Sequence, residues 1–408
     1  MENVYAIVTP FVLVLIVAEV AYSLVKRTGY YEFQDSIASL GTAIINQCVN
    51  VAVAAAWYPV LAWLAAHAPF HPGTSAVSAV LLFLGVDFLF YWFHRFGHRV
   101  NVGWAAHMPH HSTEELNYAV ALRASVTQRF FSFFFYWPLA LLGFSADWVV
   151  AMVAFHLVLQ LLPHTRVVNR LPRFIEAWMN TPSHHRVHHA RNDRYLDRNY
   201  GGFLIIWDKL FGTFEPEGEA CSYGVTVPPN SWDPTLINFQ VWRELARDAR
   251  GARRWSDALK VWFMPTGWRP EGAALREKRG WQVGGREVKF QSTSLAGARP
   301  YLLVQVLLAF PLMLLVSRNH SPLHGLEKVA VASLLWAAAT AWGAILESKR
   351  GAIALEVGRL SLTGAALAAF VLRGALPTSA LAPALAATVA SLGWSLLLRR
   401  SAARAEAC

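Results

Sequence analysis

The sequence predicts an all-α polytopic membrane protein of about seven to nine transmembrane helices, with a cytoplasmic helical cap that carries a histidine-rich dimetal site. Three observations support this fold class. The 408-residue chain is 55% hydrophobic and only 15% charged, whereas a soluble protein carries about 25% charged residues. Its apolar residues form long runs. Its histidines concentrate in a few short segments beside those runs.

Eight apolar stretches are long enough to cover the hydrocarbon core, which is about 30 Å thick. The first, residues 4–25, lacks a basic n-region and a small-residue cleavage site, so we expect a retained transmembrane helix rather than a signal peptide. Residues 130–163 are interrupted by GFSAD, which predicts a helical hairpin that either spans twice or re-enters. The other stretches are 41–66, 76–93, 300–317, 328–346, 352–372 and 378–398.

The loops alternate between charged and nearly neutral ones. Charged loops include VKRTGYYEFQDS (25–36), the region 164–299 and ESKRGAIALEVGR (347–359). The positive-inside rule then predicts an outer N-terminus, a cytoplasmic C-terminus and histidine clusters on the cytoplasmic face. Basic loops explain the net charge of +10, and no zinc-finger spacing or RNA-binding motif indicates a nucleic-acid partner. The Ala/Arg/Gly-rich composition suggests a bacterial inner (plasma) membrane.

These patterns divide the chain into N-terminal transmembrane helices (1–75), a catalytic core (76–235), a cytoplasmic or interfacial segment (236–299) and C-terminal transmembrane helices (300–408). Within 240–263, Trp255, Leu259 and Trp262 share one helical face beside many arginines. This pattern predicts a helix that either lies in the membrane interface or packs on the domain as a cap. No C-x-x-C pair exists, so we expect neither disulfides nor a thiolate metal site from Cys48, Cys221 and Cys408.

The histidines form one H-x-x-x-H pair and two H-x-x-H-H clusters. His94 and His98 are four residues apart on the helix that continues the third span, so both lie on one face. A helical turn in HMPHH (107–111) or in HHRVHH (184–189) aims three imidazoles to one side, with Pro109 in the first turn of its helix. The eight predicted catalytic and metal-ligating residues are His94, His98, His107, His110, His111, His185, His188 and His189; His164 is a further predicted metal ligand.

Nine imidazoles exceed what one metal ion binds, so they imply two ions that share the set. Imidazole suits zinc, copper, iron and nickel, while the absence of a thiolate cluster in the sequence argues against iron–sulfur clusters and structural zinc. A zinc pair supports hydrolysis only, whereas an iron pair with open positions can bind and reduce O2. The zincin motif H-E-x-x-H is absent, because Arg95 follows His94.

Acidic side chains near the histidines are candidates for hydrogen bonds to the ligands. Asp87 lies seven residues before His94, on the same face of a membrane helix, where it either orients a ligating imidazole or makes a helix–helix contact. Glu114 and Glu115 follow His111 by three and four residues. We expect one of them, with Glu114 as the first candidate, to orient His107 or His111 and the other to be solvated.

Other polar and aromatic residues are weaker candidates. Asn180 is predicted to supply a hydrogen bond near the third cluster, and Asn117 and Asn199 are similar but less specific. His184 points about 100° away from His185 on a helix, so we place it outside the metal shell. Aromatic residues before His94 either line a lipid access path or simply pack: Phe88, Phe90, Tyr91, Trp92 and Phe93. Packing or loop positions are predicted for His67, His71, His156, His320 and His324.

Two stretches resemble the fatty acid hydroxylase/sterol desaturase superfamily, a group of membrane di-iron oxygenases with three histidine boxes, and within it the alkylglycerol monooxygenases and their bacterial relatives. They are LGVDFLFYWFHRFGHRVNVGWAAHMPHHSTEELNYAVALRAS (84–125) and NTPSHHRVHHARNDRYLDRNYGGFLIIWDKLFGTFEPE (180–217). The second likeness extends beyond the histidines into NYGG and IIWDKLFGTFE. The resemblance is firm over roughly 84–217 and weaker through 263–272 and the C-terminal spans.

The resemblance implies a first box of His94 and His98, a second at 107–111, a third at 185–189, and His164 as a further family histidine. It implies two iron ions that activate O2 to hydroxylate a C–H bond of a lipid from the bilayer; in ether lipids, oxidation beside the ether oxygen releases an aldehyde and glycerol. The ether-lipid enzymes carry Glu, associated with tetrahydrobiopterin, where this chain has Arg99. The implied electron donor is therefore either a reduced tetrahydropterin or a ferredoxin- or reductase-type protein.

The sequence thus favours a membrane di-iron, O2-dependent oxidoreductase that hydroxylates a lipid, with ether-lipid cleavage as one form of that reaction. A lipid or sterol desaturase on the same scaffold is the main alternative, because both reactions share the C–H abstraction step. A zinc-dependent membrane hydrolase is less favoured. A metal transporter is disfavoured too, because its ligands would follow a pore through the spans rather than cluster on one side.

Overall fold

The computed structural model describes residues 2–273, 282–283, 286–318 and 320–406, and Cys408 lies outside them. Its regular structure in this part of the chain is helical apart from one two-stranded ribbon, which confirms the predicted all-α class. The helices are α1 (Glu2–Lys26), α2 (Phe33–Ala66), α3 (Ala76–Arg99), α4 (Asn101–His111), α5 (Tyr118–Ala121), α6 (Gln128–Leu141), α7 (Ala146–Leu161), α8 (Arg173–Glu176), α9 (Pro182–His189), α10 (Ile206–Leu210), α11 (Pro234–Gly251), α12 (Trp255–Phe263), α13 (Ala298–Ser317), α14 (Gly325–Leu346), α15 (Ala352–Leu372) and α16 (Leu381–Glu406). A 3-10 turn, Thr378–Ala380, precedes α16, and β1 (Gln282–Val283) pairs antiparallel with β2 (Arg286–Glu287).

Six helical segments in the described residues are long and apolar enough to cross a membrane. They are α2, α3, α13, α14, α15 and the stretch Thr378–Leu398, and they match six of the predicted spans. The predicted total of about seven to nine also counted 4–25 and the hairpin. Residues 4–25 fall within the single helix α1, whose first side chains lie outside the described part. The predicted total therefore stays a prediction.

The predicted hairpin at 130–163 consists of α6 and α7, with 14 and 16 residues. At 1.5 Å per residue these helices are about 21 and 24 Å long, which is shorter than a hydrocarbon core of about 30 Å. The structure therefore favours the re-entrant alternative. Gly143 makes the turn with φ 88, and a Cβ there would lie 1.7 Å from the carbonyl oxygen of Phe70, so only glycine fits.

The chain divides into two compact units, of which the first comprises residues 1–31, 52–229 and 238–289. In this unit the hairpin packs on α3 through a buried apolar cluster that includes Leu82, Val86, Phe133, Tyr136 and Val149. Burial of such side chains contributes about 1.5–3 kcal/mol each. These contacts hold α3 in place while its last two turns carry the first histidine box.

A sharp elbow follows α3. Val100 is extended (φ −126, ψ 134), so the helix ends there and α4 turns back beside α3. The amide of Asn101 donates hydrogen bonds to the carbonyl oxygens of Val261 (2.8 Å) and Trp268 (3.0 Å). Gly103 permits the close approach, because a Cβ there would lie 2.4 Å from the carbonyl oxygen of Phe96. The elbow brings the first two histidine boxes face to face.

The segment 240–263 forms two helices rather than one. α11 ends at Gly251 and α12 begins at Trp255, because glycine and the following turn interrupt the helical pattern. Trp255 and Leu259 are exposed, as predicted for one face, but Trp262 packs against the cluster formed by α4, α11 and α12. The three residues do share one face of α12, at positions i, i+4 and i+7, and the choice between a membrane-interface helix and a cap stays a prediction.

The second unit comprises residues 32–51, 230–237 and 290–408. Here α13 to α16 pack against one another as a four-helix bundle. Residues 352–359 of the predicted charged loop belong to α15, and Glu356 and Arg359 are buried in it. Arg359 donates to both carboxylate oxygens of Glu356 and, at 2.6 Å, to Gln305, while the hydroxyl of Tyr301 also donates to Glu356. The network neutralises both charges inside the bundle.

Removal of one partner from this ion pair leaves the other charge buried and unpaired. We expect Arg359→Met to destabilise the folded chain by about 3–5 kcal/mol, whereas the double variant Glu356→Gln/Arg359→Met costs less than the single variant. Thermal unfolding in detergent micelles measures both. A single variant that unfolds at the wild-type temperature would contradict the role of the pair.

Candidate metal centre

Three helices of the first unit carry the histidine boxes. His94 and His98 occupy the last two turns of α3, box two lies at the end of α4, and box three ends α9. α3 and α4 approach closely at Gly97, where a Cβ would lie 3.3 Å from Cβ of His107. Pro109 lies in the last turn of its helix and not in the first, because α4 already begins at Asn101.

Five of the predicted ligands form one group, in which each offers a nitrogen within 4.8 Å of the others: His94, His98, His107, His111 and His188. Nε2 of His107 lies 3.0 Å from Nε2 of His94 and 3.0 Å from Nε2 of His111. Nε2 of His98 lies 3.2 Å from Nε2 of His111. All five side chains are buried. We call this set the five-histidine group.

The other four predicted ligands form a second group: His110, His164, His185 and His189. Nε2 of His164 lies 2.9 Å from Nε2 of His185 and 3.3 Å from Nε2 of His110. His164 follows the α6–α7 hairpin, so this four-histidine group joins the hairpin to boxes two and three. The two groups touch where the rings of His111 and His189 stack with centroids 4.3 Å apart. All nine histidines therefore line one continuous site.

Backbone carbonyl groups fix the orientation of four of these rings. The Nδ1 atoms lie at hydrogen-bond distance from carbonyl oxygens: 2.8 Å from His94 to Tyr200, 2.9 Å from His110 to Arg123, 2.9 Å from His164 to Gln160 and 2.9 Å from His188 to Arg198. A carbonyl oxygen only accepts, so each Nδ1 carries the hydrogen of a neutral ring. Each Nε2 is then unprotonated, and its lone pair points into the site.

The pair formed by His110 and His164 shows what these lone pairs require. Both rings donate from Nδ1 to the backbone, so two bare Nε2 atoms face each other at 3.3 Å. Such an arrangement is repulsive unless a cation lies between the atoms. Two nitrogens bound at about 2.1 Å to one ion and at right angles lie about 3.0 Å apart, which matches the observed 2.9–3.3 Å separations.

Buried nitrogens without a hydrogen-bond partner also indicate that the site binds a cation. Nε2 of His188 and Nε2 of His189 are buried and make no hydrogen bond, and an unsatisfied buried polar atom costs about 1–3 kcal/mol. Metal ligation would satisfy both atoms. The cluster can therefore hold metal ions, and the residues present fit an all-imidazole metal site.

The protonation of the rings is consistent with this chemistry. Burial, followed by the repulsion of neighbouring imidazoles, holds the pKa values of His107, His111 and His188 well below the usual range. For His110, burial lowers the pKa to about 4. Neutral imidazole is the form that ligates a metal.

Asp197 is a site residue that the sequence reasoning missed. Its carboxylate lies 3.6 Å from Nδ1 of His98 and 3.1 Å from the guanidinium of Arg99. Burial acts to raise the pKa of Asp197, but these contacts outweigh it, so the pKa is lowered and the group stays ionised. Its backbone is left-handed (φ 60), a strained conformation typical of functional loops. The acid before the arginine in RYLDRNYGG was the available signal.

Asp87 does not orient a predicted ligand, so that alternative is wrong. Its carboxylate accepts hydrogen bonds from the backbone of Phe203 (2.8 Å), from the indole of Trp207 (2.8 Å) and from His156 (2.6 Å). Asp87 thus ties α3 to the loop after box three. His156, predicted to pack, is its buried partner and also contacts the Gln160 side chain at 2.6 Å.

A second buried acid, Asp208, shapes the same loop. Its oxygens accept from the backbone N–H groups of Tyr200 and Gly201, both at 2.7 Å, and from the hydroxyl of Thr213 at 2.7 Å. Burial raises the pKa of Asp208 to about 6, against the lowering effect of these bonds. Asp208 thereby positions the Tyr200 carbonyl that orients His94. An acid inside the apolar stretch IIWDKLFG was the sequence signal.

The remaining candidates lie around the site. Glu114 pairs with Arg191 at 3.3 Å, and Glu115 pairs with Arg166 and Lys289 and is buried instead of solvated. The amide of Asn180 donates to the carbonyl oxygen of Gly201 at 2.6 Å. Three further candidates lie outside both groups: Asn117 caps α5, Asn199 donates to the carbonyl oxygen of His184, and His184 lies 3.5 Å from Glu176.

Comparison with known proteins places this site in a family. The family model described as "Fatty acid hydroxylase" matches residues 79–213, which include all nine histidines of the two groups. The alkylglycerol monooxygenase of Danio rerio is 34% identical over 359 residues, which cover 87% of this chain and 80% of that protein. The chain belongs to the fatty acid hydroxylase family.

Other family relatives match over shorter regions. The alkylglycerol monooxygenase of Homo sapiens is 43% identical over 231 residues, 56% of this chain and 52% of that protein. An ornithine lipid hydroxylase of Rhizobium tropici is 30% identical over 216 residues, 51% of this chain and 60% of that protein. The matched region thus spans about half the length of the human relative. No solved structure matches.

The contact between Asp197 and His98 generates a prediction about metal binding in this family member. We expect Asp197→Asn to weaken metal binding by about 10–100-fold, because an orienting carboxylate behind a ligating histidine raises its basicity and fixes its ring. Competition titration with a chelator measures the affinity. The exposed Asp193→Asn is the matched control, and equal affinities in the two variants would contradict the role of Asp197.

Proposed function

We propose that this protein is a membrane di-iron oxygenase that uses O2 to hydroxylate a C–H bond of a lipid. The observation that carries the proposal is the division of nine imidazoles, eight buried and His110 half-buried, into groups of five and four in which the closest ring nitrogens are 2.9–3.3 Å apart. Two such groups suit two metal ions. Membership of the fatty acid hydroxylase family supports hydroxylation as the reaction class.

Iron is the proposed metal because imidazole suits it and because hydroxylation needs a redox-active ion. The reaction consumes RH, O2, two electrons and two protons and yields ROH and water. Iron, when bound, supplies the electron transfer to O2. The chain itself holds the ions through the predicted ligands His94, His98, His107, His110, His111, His164, His185, His188 and His189.

Aromatic side chains pack around the five-histidine group. Phe90 lies 5.1 Å from the ring of His94, while Trp104 and Tyr200 lie 5.5 and 5.2 Å from the ring of His98, measured between centroids. These rings exclude bulk water, which would otherwise quench reactive oxygen species. Phe90, Tyr91 and Phe93 are buried, whereas Trp92 is exposed on α3. Packing therefore accounts for most of the aromatic run, and Trp92 faces the surroundings.

The lipid substrate is proposed to reach the site from the bilayer, because box one lies at the end of α3, a candidate membrane span. By the positive-inside rule this end faces the cytoplasm, in a bacterial inner membrane. The relatives are named for alkylglycerol and ornithine lipid oxidation, so glycerol ethers and acyl-chain lipids are the first substrates to test.

The two electrons are proposed to come from outside the chain, from either a redox protein or a reduced tetrahydropterin. Arg99 forms an ion pair with Asp197 directly behind His98. Asp197 thus neutralises the charge of Arg99, the residue that stands where the resemblance gives an acid, and it supplies a carboxylate beside box one from another segment. Both kinds of electron donor therefore stay in the proposal.

Isotope labelling tests the reaction class. Iron-loaded protein in micelles, supplied with a chemical reductant, an alkylglycerol or ornithine lipid and 18O2, is expected to incorporate one 18O atom into the lipid-derived product. Mass spectrometry of the extract detects the gain. A product that instead loses two hydrogens would indicate a desaturase, and lipid turnover without O2 in zinc-loaded protein would indicate a hydrolase.

Replacement of a single ligand tests the assignment of the site. We expect His188→Ala to abolish lipid oxidation while membrane insertion persists, because this imidazole belongs to the five-histidine group and its Nε2 has no partner in the protein. The matched control is His71→Ala, at an exposed position outside both groups. Full activity of His188→Ala would remove the third box from the site.

A further inference from the structure

A cavity of about 290 Å³ opens beside the five-histidine group. Its lining includes the side chains of Arg95, Arg99 and Arg198 together with Asp197 and Tyr200. Three guanidinium groups and one carboxylate give these residues a net charge of +2. The backbone carbonyl of Tyr200 contacts His94 and the carboxylate of Asp197 contacts His98, so two residues that line the cavity also touch predicted ligands.

The guanidinium groups converge from two elements. Arg95 and Arg99 are one turn apart on α3, and Arg198 follows Asp197 in the loop after box three. Arg95 donates to the hydroxyl of Tyr91 at 3.0 Å, and Arg99 donates to Asp197 at 3.1 Å. These bonds fix two of the cations at the cavity while leaving an excess of positive charge. Guanidinium forks bind phosphate and carboxylate groups with paired hydrogen bonds.

The side chains beside the cavity are of the kinds that favour a membrane interface. Phe211 lines the cavity, and its ring lies 5.0 Å from that of Trp92, an exposed residue on the candidate span α3. Leu210 and Leu196 beside it are exposed as well. Tryptophan and other amphipathic rings favour the headgroup level of a bilayer. These neighbours suit a cationic cavity at the depth at which lipid headgroups carry their oxyanions.

We propose that this cavity binds the oxyanion, phosphate or carboxylate, of the headgroup of the lipid on which the metal centre acts. Binding of the oxyanion is independent of the proposed function, and only the statement that the bound lipid is the substrate rests on it. It assigns an acidic or zwitterionic amphiphile as the preferred substrate and a neutral glyceride as a poor one. Arg95, Arg99 and Arg198 act as specificity residues, since they contact the headgroup and not the oxidised carbon.

Binding of three probes with equal alkyl chains tests the proposal. Full-length protein in uncharged maltoside micelles, without O2 or reductant, is titrated with radiolabelled alkylglycerol phosphate, alkylphosphocholine or alkylglycerol. We expect both phosphate lipids to bind about tenfold tighter than alkylglycerol, because a hydrogen bond to a charged group contributes that factor or more. Equal affinity for the three probes would overturn the proposal.

Substitutions locate the binding site. Arg198→Gln and Arg95→Gln are each expected to weaken binding of alkylglycerol phosphate about tenfold without a change for alkylglycerol, and Arg198→Lys retains part of the affinity. The control is Arg173→Gln on exposed α8, outside the cavity. Unchanged alkylglycerol binding and metal content show that the variants are folded. If Arg198→Gln and Arg173→Gln bind alkylglycerol phosphate equally, the cavity is not the headgroup site.

Competition with inorganic phosphate separates the two sources of an oxyanion. Displacement of alkylglycerol phosphate only by other phosphate lipids supports a headgroup site, whereas displacement by inorganic phosphate at the same concentration would overturn it in favour of a free-phosphate site. Because the binding assay measures no turnover, the proposal of headgroup selectivity and the proposal of lipid oxidation can be refuted independently. A protein that prefers phosphate lipids but incorporates no 18O would refute the proposed function and keep the binding site.

Discussion

The hydrogen bond from imidazole Nδ1 to a backbone carbonyl is the interaction on which the site depends. Four such bonds, at 2.8–2.9 Å, fix the tautomers of His94, His110, His164 and His188. With the hydrogen on Nδ1, the Nε2 lone pairs of these rings point into the centres of the five-histidine and four-histidine groups. Burial of these groups is costly unless a cation satisfies them. The buried, unprotonated ring nitrogens would therefore be stabilised by bound metal ions.

The rest of the first unit holds those carbonyl groups in place. Asp208 binds the backbone around Tyr200, and Asp87 binds the backbone of the following residues, so two buried acids shape the loop that faces box one. The α6–α7 hairpin supplies the carbonyl of Gln160 and leads to His164. The elbow at Val100 then lets α4 return against α3. Each histidine box relies on a segment distant in sequence.

Much of this site could be predicted from the sequence, because the H-x-x-x-H and H-x-x-H-H spacings are local geometry that a helix fixes. All nine predicted ligands fall into the two groups, and His184 lies outside them as expected. Asp87 shows why the rest could not be predicted. Helical spacing places it on the face of His94, but residues 203–207 offer three N–H donors to its carboxylate. Asp197 and Asp208 stand out locally as acids in RYLDRNYGG and IIWDKLFG, but their partners are set by tertiary contacts that the sequence does not give.

We propose that the two histidine groups hold one metal pair in a continuous site. The most direct measurement is iron and zinc K-edge X-ray absorption on the intact chain, combined with quantitative metal analysis. We expect about two iron ions per chain, each ligated mainly by imidazole nitrogen, with a second iron as a near neighbour. One ion per chain, or zinc alone, would contradict it.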